Sequence, residues 1–157
     1  MEIIKVIKST LEHVKDLQGD LRPADILEVE RSSKHSADYC LEKGFRDSYK
    51  CWTITLNDKS MAIFGINTPS LMSDVGVPWM LGRSGLFEIS SIRKKVLSQS
   101  KFYIREMSKG FKTMENYIDI DNKVSIKWLK FCGFSFDAPI KYGNNDELFQ
   151  RFHKGEV

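Results

Sequence analysis

Three cysteines, three histidines and one long cationic segment carry the side chains of this sequence that could do chemistry. Cys40, Cys51 and Cys132 are odd in number and lack CxxC spacing, which fits reduced thiols in a reducing compartment and not a disulfide framework. No histidine lies near Cys132 in sequence to activate it, so it reads as a buried thiol and not a nucleophile. His13, His35 and His153 share no metal-ligand spacing, and no metal is expected. Over residues 88–110 the chain places Arg93, Lys94, Lys95, Lys101, Arg105 and Lys109 against the acids Glu88 and Glu106. Such a face suits nucleic-acid phosphates or an acidic protein surface, and equally an ordinary solvated helix.

The elements that must position these groups are short. Residues 3–7 are apolar and β-branched and predict a first strand. Ser9 or Thr10 then caps a helix that carries Glu12 in its first turn and stops near Gly19. Pro23 suits the first position of a second helix with Ile26, Leu27 and Val29 on its apolar face. A third helix is expected from Ser36 to about Lys43, with Tyr39 and Cys40 inward and Gly44 closing it. Residues 52–56 alternate in polarity and return through Asn57-Asp58-Lys59 into residues 61–66, the clearest hairpin of the chain.

A strand over 75–81 contains Pro78, which donates no ladder hydrogen bond and so belongs at an edge, a bulge or a splayed position. The turn Gly82-Arg83-Ser84-Gly85 leads into the longest helix, 88–110, with Ile89, Ile92, Val96, Tyr103 and Met107 as its core stripe. Tyr117, Ile118 and Ile120 make a further strand. A short helix at 123–132 buries Ile126 and Leu129 and closes at Gly133. Phe134 and Phe136 start a strand whose antiparallel partner contains Leu148, Phe149 and Phe152, after a turn at 143–145.

Length and composition set the frame. The 157 residues suit one hydrophobic core, and a net charge of +3 is too small to argue for nucleic acid by itself. The N-terminus lacks the apolar run and small-residue site of a signal peptide, and no apolar stretch approaches the roughly 20 residues that span a bilayer. A single soluble α/β domain over 1–157 is expected.

The order of strands and helices resembles the acyl-CoA N-acyltransferase (GNAT) fold. The sharpest local match is Asn122-Lys123-Val124-Ser125-Ile126-Lys127-Trp128-Leu129-Lys130-Phe131-Cys132-Gly133-Phe134, which resembles the motif N-x-x-[AS]-I-x-x-x-x-x-x-G-F. The same residues suit an ordinary capped helix: Asn122 caps it, Ser125 is small where a cofactor could approach, Gly133 permits the reversal and Phe134 anchors the next strand. The resemblance implies a mixed, mostly antiparallel sheet, flanked by helices, with a splayed central pair of parallel strands that admits a pantetheine arm. It implies acetyl-CoA as cofactor, with Trp79, Met80 and Leu81 presenting backbone to pantetheine. Gly82, Arg83, Ser84 and Gly85 then stand where the diphosphate turn lies, and Asn122 and Ser125 beside the cofactor.

The match has departures. The turn motif [QR]-x-x-G-x-[GA] is out of order here, so Gly82–Gly85 is either an anion nest assisted by Arg83 or simply the turn that starts a helix. The tyrosine that serves such enzymes as general acid is replaced by Leu129. Asp119 and Asp121 are the carboxylates nearest the expected cleft that could act as base, or they are solvated and capping. Tyr117 is a cleft hydroxyl or a core aromatic.

A second resemblance covers nearly the whole chain. LRPADILEVERSS, VGVPWMLG and ENYIDIDNKVSIKWLKFCGF are similar to the phage internal virion protein A, or internal core protein, family. It implies a phage virion or infected-host cytoplasm as the location, with other virion or assembly proteins as partners; nucleic acid at the 88–110 helix is an expectation from that helix's charge alone. Together these resemblances lead to an expected virion or assembly protein on a GNAT scaffold with a degenerate acetyl-CoA site. The alternative is an active acetyl-CoA-dependent N-acetyltransferase acting on a host or phage amine.

Overall fold

The computed structural model describes residues 1–155. Its elements run β1 (Ile4–Lys8), α1 (Leu11–Leu17), α2 (Pro23–Ser32), α3 (Ala37–Asp47), β2 (Lys50–Leu56), β3 (Lys59–Asn67), β4 (Val75–Gly82), α4 (Ser90–Ser108), β5 (Thr113–Asp119), α5 (Lys123–Phe131), β6 (Ser135–Phe136), β7 (Ile140–Lys141) and β8 (Leu148–Lys154). A single 3-10 turn, Leu86–Glu88, precedes α4. The strands form one sheet in the order β1-β2-β3-β4-β5-β8-β6, with β7 also on β8. All pairings are antiparallel except β4 with β5.

Local chemistry explains most of these boundaries. Thr10 caps α1 reciprocally: its hydroxyl accepts from the His13 N–H, and His13 Nδ1 accepts from the Thr10 N–H at 3.0 Å. Asn57 and Asp58 both take positive φ, 49° and 68°, which gives the two-residue hairpin turn between β2 and β3. Alternation along the central strand β3 divides the core. Ala62 and Phe64 pack with α4 and α5 on one face, whereas Ile63 packs with Val14, Leu17 and Leu41 of α1 and α3 on the other.

Three expectations need correction. α3 does not stop at Gly44 but continues to Asp47, because the bare Gly44 Cα lets the Trp79 indole press against the helix. The Trp79 Nε1–H donates to Ser48 Oγ at 2.8 Å, and Ser48 donates on to the Gly44 carbonyl at 2.6 Å. The inward residues of α3 are Ala37 and Leu41, while Tyr39 is half exposed and stacks on His35. The long helix begins at Ser90, after the 3-10 turn, and its buried stripe is Ile92, Val96, Ser100, Ile104 and Met107. Tyr103 is only partly buried there, packed edge-on against Trp52 and Phe64.

The feature that matters for function lies between β4 and β5. They pair only at Val75↔Thr113 and Gly76↔Met114, then diverge. Among the described residues, no helix is long and apolar enough to cross a membrane.

Because a Cβ at Gly65 would collide with the Lys50 backbone carbonyl on β2, Gly65→Ala cannot be absorbed by a side-chain shift. It is expected to destabilise the protein by about 2–3 kcal/mol, read from the midpoint of urea unfolding.

Candidate functional site

Past Gly76, the two central strands expose backbone groups that ordinary pairing would satisfy. In an antiparallel pair, each residue turns both its N–H and its C=O to the same side. The register places Trp79 and Leu81 toward β3, so Pro78, Met80 and Gly82 face the gap. Pro78 has no N–H, and its carbonyl accepts from Asn116 Nδ2 at 2.8 Å across the opening. The Gly82 N–H donates to Asp25 Oδ2 at 2.9 Å, and the Gly82 carbonyl accepts from the Arg22 N–H at 2.8 Å. That leaves the N–H and C=O of Met80 directed into the gap with no partner among the described residues.

A cavity of about 440 Å³ occupies this gap and reaches both faces of the sheet, from Glu28 and Lys43 on one side to Trp128 and Leu129 on the other. Its acidic wall comes from α2. Asp25 and Glu28, three residues apart, lie on the same helix face. Glu28 Oε2 accepts from Asn122 Nδ2 at 2.7 Å. Burial pushes the Glu28 carboxyl up to about 7; the Asn122 hydrogen bond opposes this, and the nearby charges of Asp25 and Asp119 add to it. Burial also raises Asp25, against the attraction of Arg22, whose Nη1 lies 3.2 Å from its carboxylate. The Arg22 guanidinium in turn sits over the Phe87 ring at 4.7 Å.

Trp79, Met80, Leu81, Gly82, Asn122, Ser125 and Tyr117 all line the cavity. Tyr117 stacks on Tyr142 at 4.3 Å. Asn122 does not cap α5 with its side chain, which turns to Glu28 instead. Asp119 and Asp121 stand apart from the cavity. Each receives a 2.8 Å bond from Arg31 Nη1, and Asp119 is 2 % exposed, so the two carboxylates share one ion cluster beside the cavity.

Arg83 also departs from expectation. It is 6 % exposed and points away from the gap, donating to the Ser60 and Asp16 carbonyls and to Asp20 Oδ2 at 2.6 Å. The turn amides are largely engaged as well, since Arg83 N–H bonds Met61 and Ser84 N–H bonds Asp20. An anion in this region would instead meet the first turn of α4, where no capping side chain and no acid is present.

Sequence reasoning missed Arg22, Asp25, Glu28 and Asn116. The available signal was a pair of carboxylates interrupting the apolar period of α2 at 25 and 28.

A splayed parallel pair in an otherwise antiparallel sheet, flanked by helices on both faces, is the fold of the GNAT N-acyltransferases. No protein-family model matches the sequence, and neither does any curated protein sequence. Among solved structures, a ribosomal-protein-alanine N-acetyltransferase from Brucella melitensis matches with a TM-score of 0.72 at 13% identity, covering 96% of this chain and 99% of that one. RimL, a ribosomal L7/L12 alpha-N-protein acetyltransferase in complex with coenzyme A, matches at 0.63 and 13%, covering 98% and 94%. The ribosomal-protein-S18-alanine N-acetyltransferase from Escherichia coli matches at 0.60 and 13%, covering 100% and 96%. These likenesses establish the fold, and they carry nothing about a phage particle.

Arg83→Met should cost about 1–3 kcal/mol by stranding the Ser60 carbonyl, seen as a lower melting temperature.

Proposed function

We propose that this chain is an N-acyltransferase that moves an acyl group from a coenzyme A thioester to an amine. The observation that carries this reading is Glu28: a carboxyl raised to about 7, facing a cavity in the gap of a GNAT fold. The gap suits the pantetheine arm, because Met80 offers an unpaired backbone N–H and C=O inside it. Bound there, the thioester supplies an activated carbonyl.

The chain's own groups do the remaining work. A lysine-like amine arrives as an ammonium, with an ordinary pKa of about 10.4, and must lose a proton before it attacks. Glu28 is held by Asn122 where it can accept that proton, directly or through one water. The Met80 N–H would be this chain's donor to a thioester carbonyl held in the gap, stabilising negative charge on its oxygen. Leu129 has no proton for the departing thiolate, and Tyr117 is a hydroxyl lining the same cavity.

A place in a phage particle is a separate proposal that rests on the three sequence segments quoted above. It brings with it contacts to virion or assembly proteins, and to nucleic acid through the exposed Lys94, Lys101 and Arg105 of α4. Absence of the protein from purified particles by mass spectrometry would end it.

Glu28 titrates near 4.5 in the unfolded chain and at about 7 when folded, so the native state favours its protonated form. The associated stability is complete below the unfolded value and is lost as pH rises through about 7. Glu28→Gln should therefore raise stability at pH values above that range by about 2–3 kcal/mol, a gain that shrinks in acid. The same variant should lose about 10²–10⁴-fold in kcat/KM for amine acylation, and with it the rise of rate through neutral pH. An unchanged pH–rate profile in the variant would remove Glu28 from the mechanism.

A further inference from the structure

A second, smaller cavity of about 40 Å³ adjoins the first on the α4 face of the sheet. Val6, Ile54, Val96 and Tyr103 wall it, and Met80 and Trp128 line both cavities. Its surroundings are hydrocarbon and aromatic. The one buried hydroxyl there, Ser100 Oγ, donates to the Val96 carbonyl and accepts from Trp128 Nε1 at 2.8 Å, so it has little left to offer a ligand. Lys95 and Gln99 are only partly buried at its edge. With Ser100 engaged and Lys95 and Gln99 only at the edge, the recess offers water few partners and suits hydrocarbon.

Alternation along β4 fixes how the two cavities relate. The Met80 side chain lies with the α4 core, while those of Trp79 and Leu81 lie with the α1 and α3 core. Glu28 approaches from α2, so the proton acceptor and the amine occupy one side of the sheet and the recess opens on the other. The Met80 backbone faces the gap between them.

We propose that the preferred donor is a thioester of a short straight-chain acyl group longer than acetyl, about three to four carbons, whose end seats in the recess past Met80. This rests on the acyl-transfer reading above and names its substrate class. In the reaction the amide C–N bond forms and the acyl C–S bond breaks. The amine proton passes to Glu28, and the thiolate leaves on coenzyme A and takes a proton from water. Met80 sets the chain length, because its flexible thioether is the partition between the gap and the recess.

Calorimetry of the full chain with coenzyme A and its acetyl, propionyl, butyryl and octanoyl thioesters tests this. Affinity is expected to rise about fourfold for each carbon from acetyl to butyryl, the equivalent of about 0.8 kcal/mol per buried methylene, and to fall for octanoyl. Val96→Phe, which fills the recess, should flatten the series so that propionyl and butyryl thioesters gain nothing over acetyl-CoA. Met80→Ala should move the optimum to longer chains, and it decides the matter if Val96→Phe does not fold. Equal affinity for acetyl, propionyl and butyryl thioesters overturns the proposal while leaving acyl transfer standing. Failure of coenzyme A and every thioester to bind overturns both.

Discussion

The whole arrangement depends on two parallel strands that cease to pair after two residues. Backbone groups taken out of a ladder and kept from water need other partners, since each one left buried and unpaired costs about 1–3 kcal/mol. Here side chains supply them in sequence along β4. Asn116 takes the Pro78 carbonyl, Asp25 takes the Gly82 N–H, and the backbone of Arg22 takes the Gly82 carbonyl. Pro78 contributes by having no N–H to satisfy. The opening at Met80 is thus bounded on both sides by substitutes for the missing strand.

The electrostatics of the cavity follow first from the burial of its acidic wall. Asp25 and Asp119 lie close enough for their charges to be felt at Glu28. Asp25 has Arg22 at 3.2 Å, and Asp119 has Arg31 at 2.8 Å. Glu28 has the neutral amide of Asn122. Burial raises both Asp25 and Glu28, Glu28 to about 7, and the Asn122 hydrogen bond and the charge of Arg22 only partly oppose it at Glu28.

Much of the scaffold was legible in the residues. Pro78 announced a broken ladder, the Asn57-Asp58 turn fixed a hairpin, and Gly133 with its φ of 91° closes α5 as its position suggested. The site was less so, because its key pairings join residues 57 and 94 positions apart, Asp25 with Gly82 and Glu28 with Asn122. No local pattern contains such contacts. Asn122 and Arg83 misled for a related reason: each has a plausible local role, as cap or as anion ligand, which a distant partner outbids. Gly44 is the same lesson in packing, a helix-closing residue retained inside a helix by a tryptophan from another strand.

The inward turn of Arg83 has one more consequence. By gripping Asp16, Asp20 and the Ser60 carbonyl together, it welds the far end of β4 to the hook joining α1 and α2. That hook sits on the surface, where chains usually tolerate extra residues. In this molecule its length acts as a spacer: it dictates how far the start of α2, and with it the acidic wall, stands from the strand opposite.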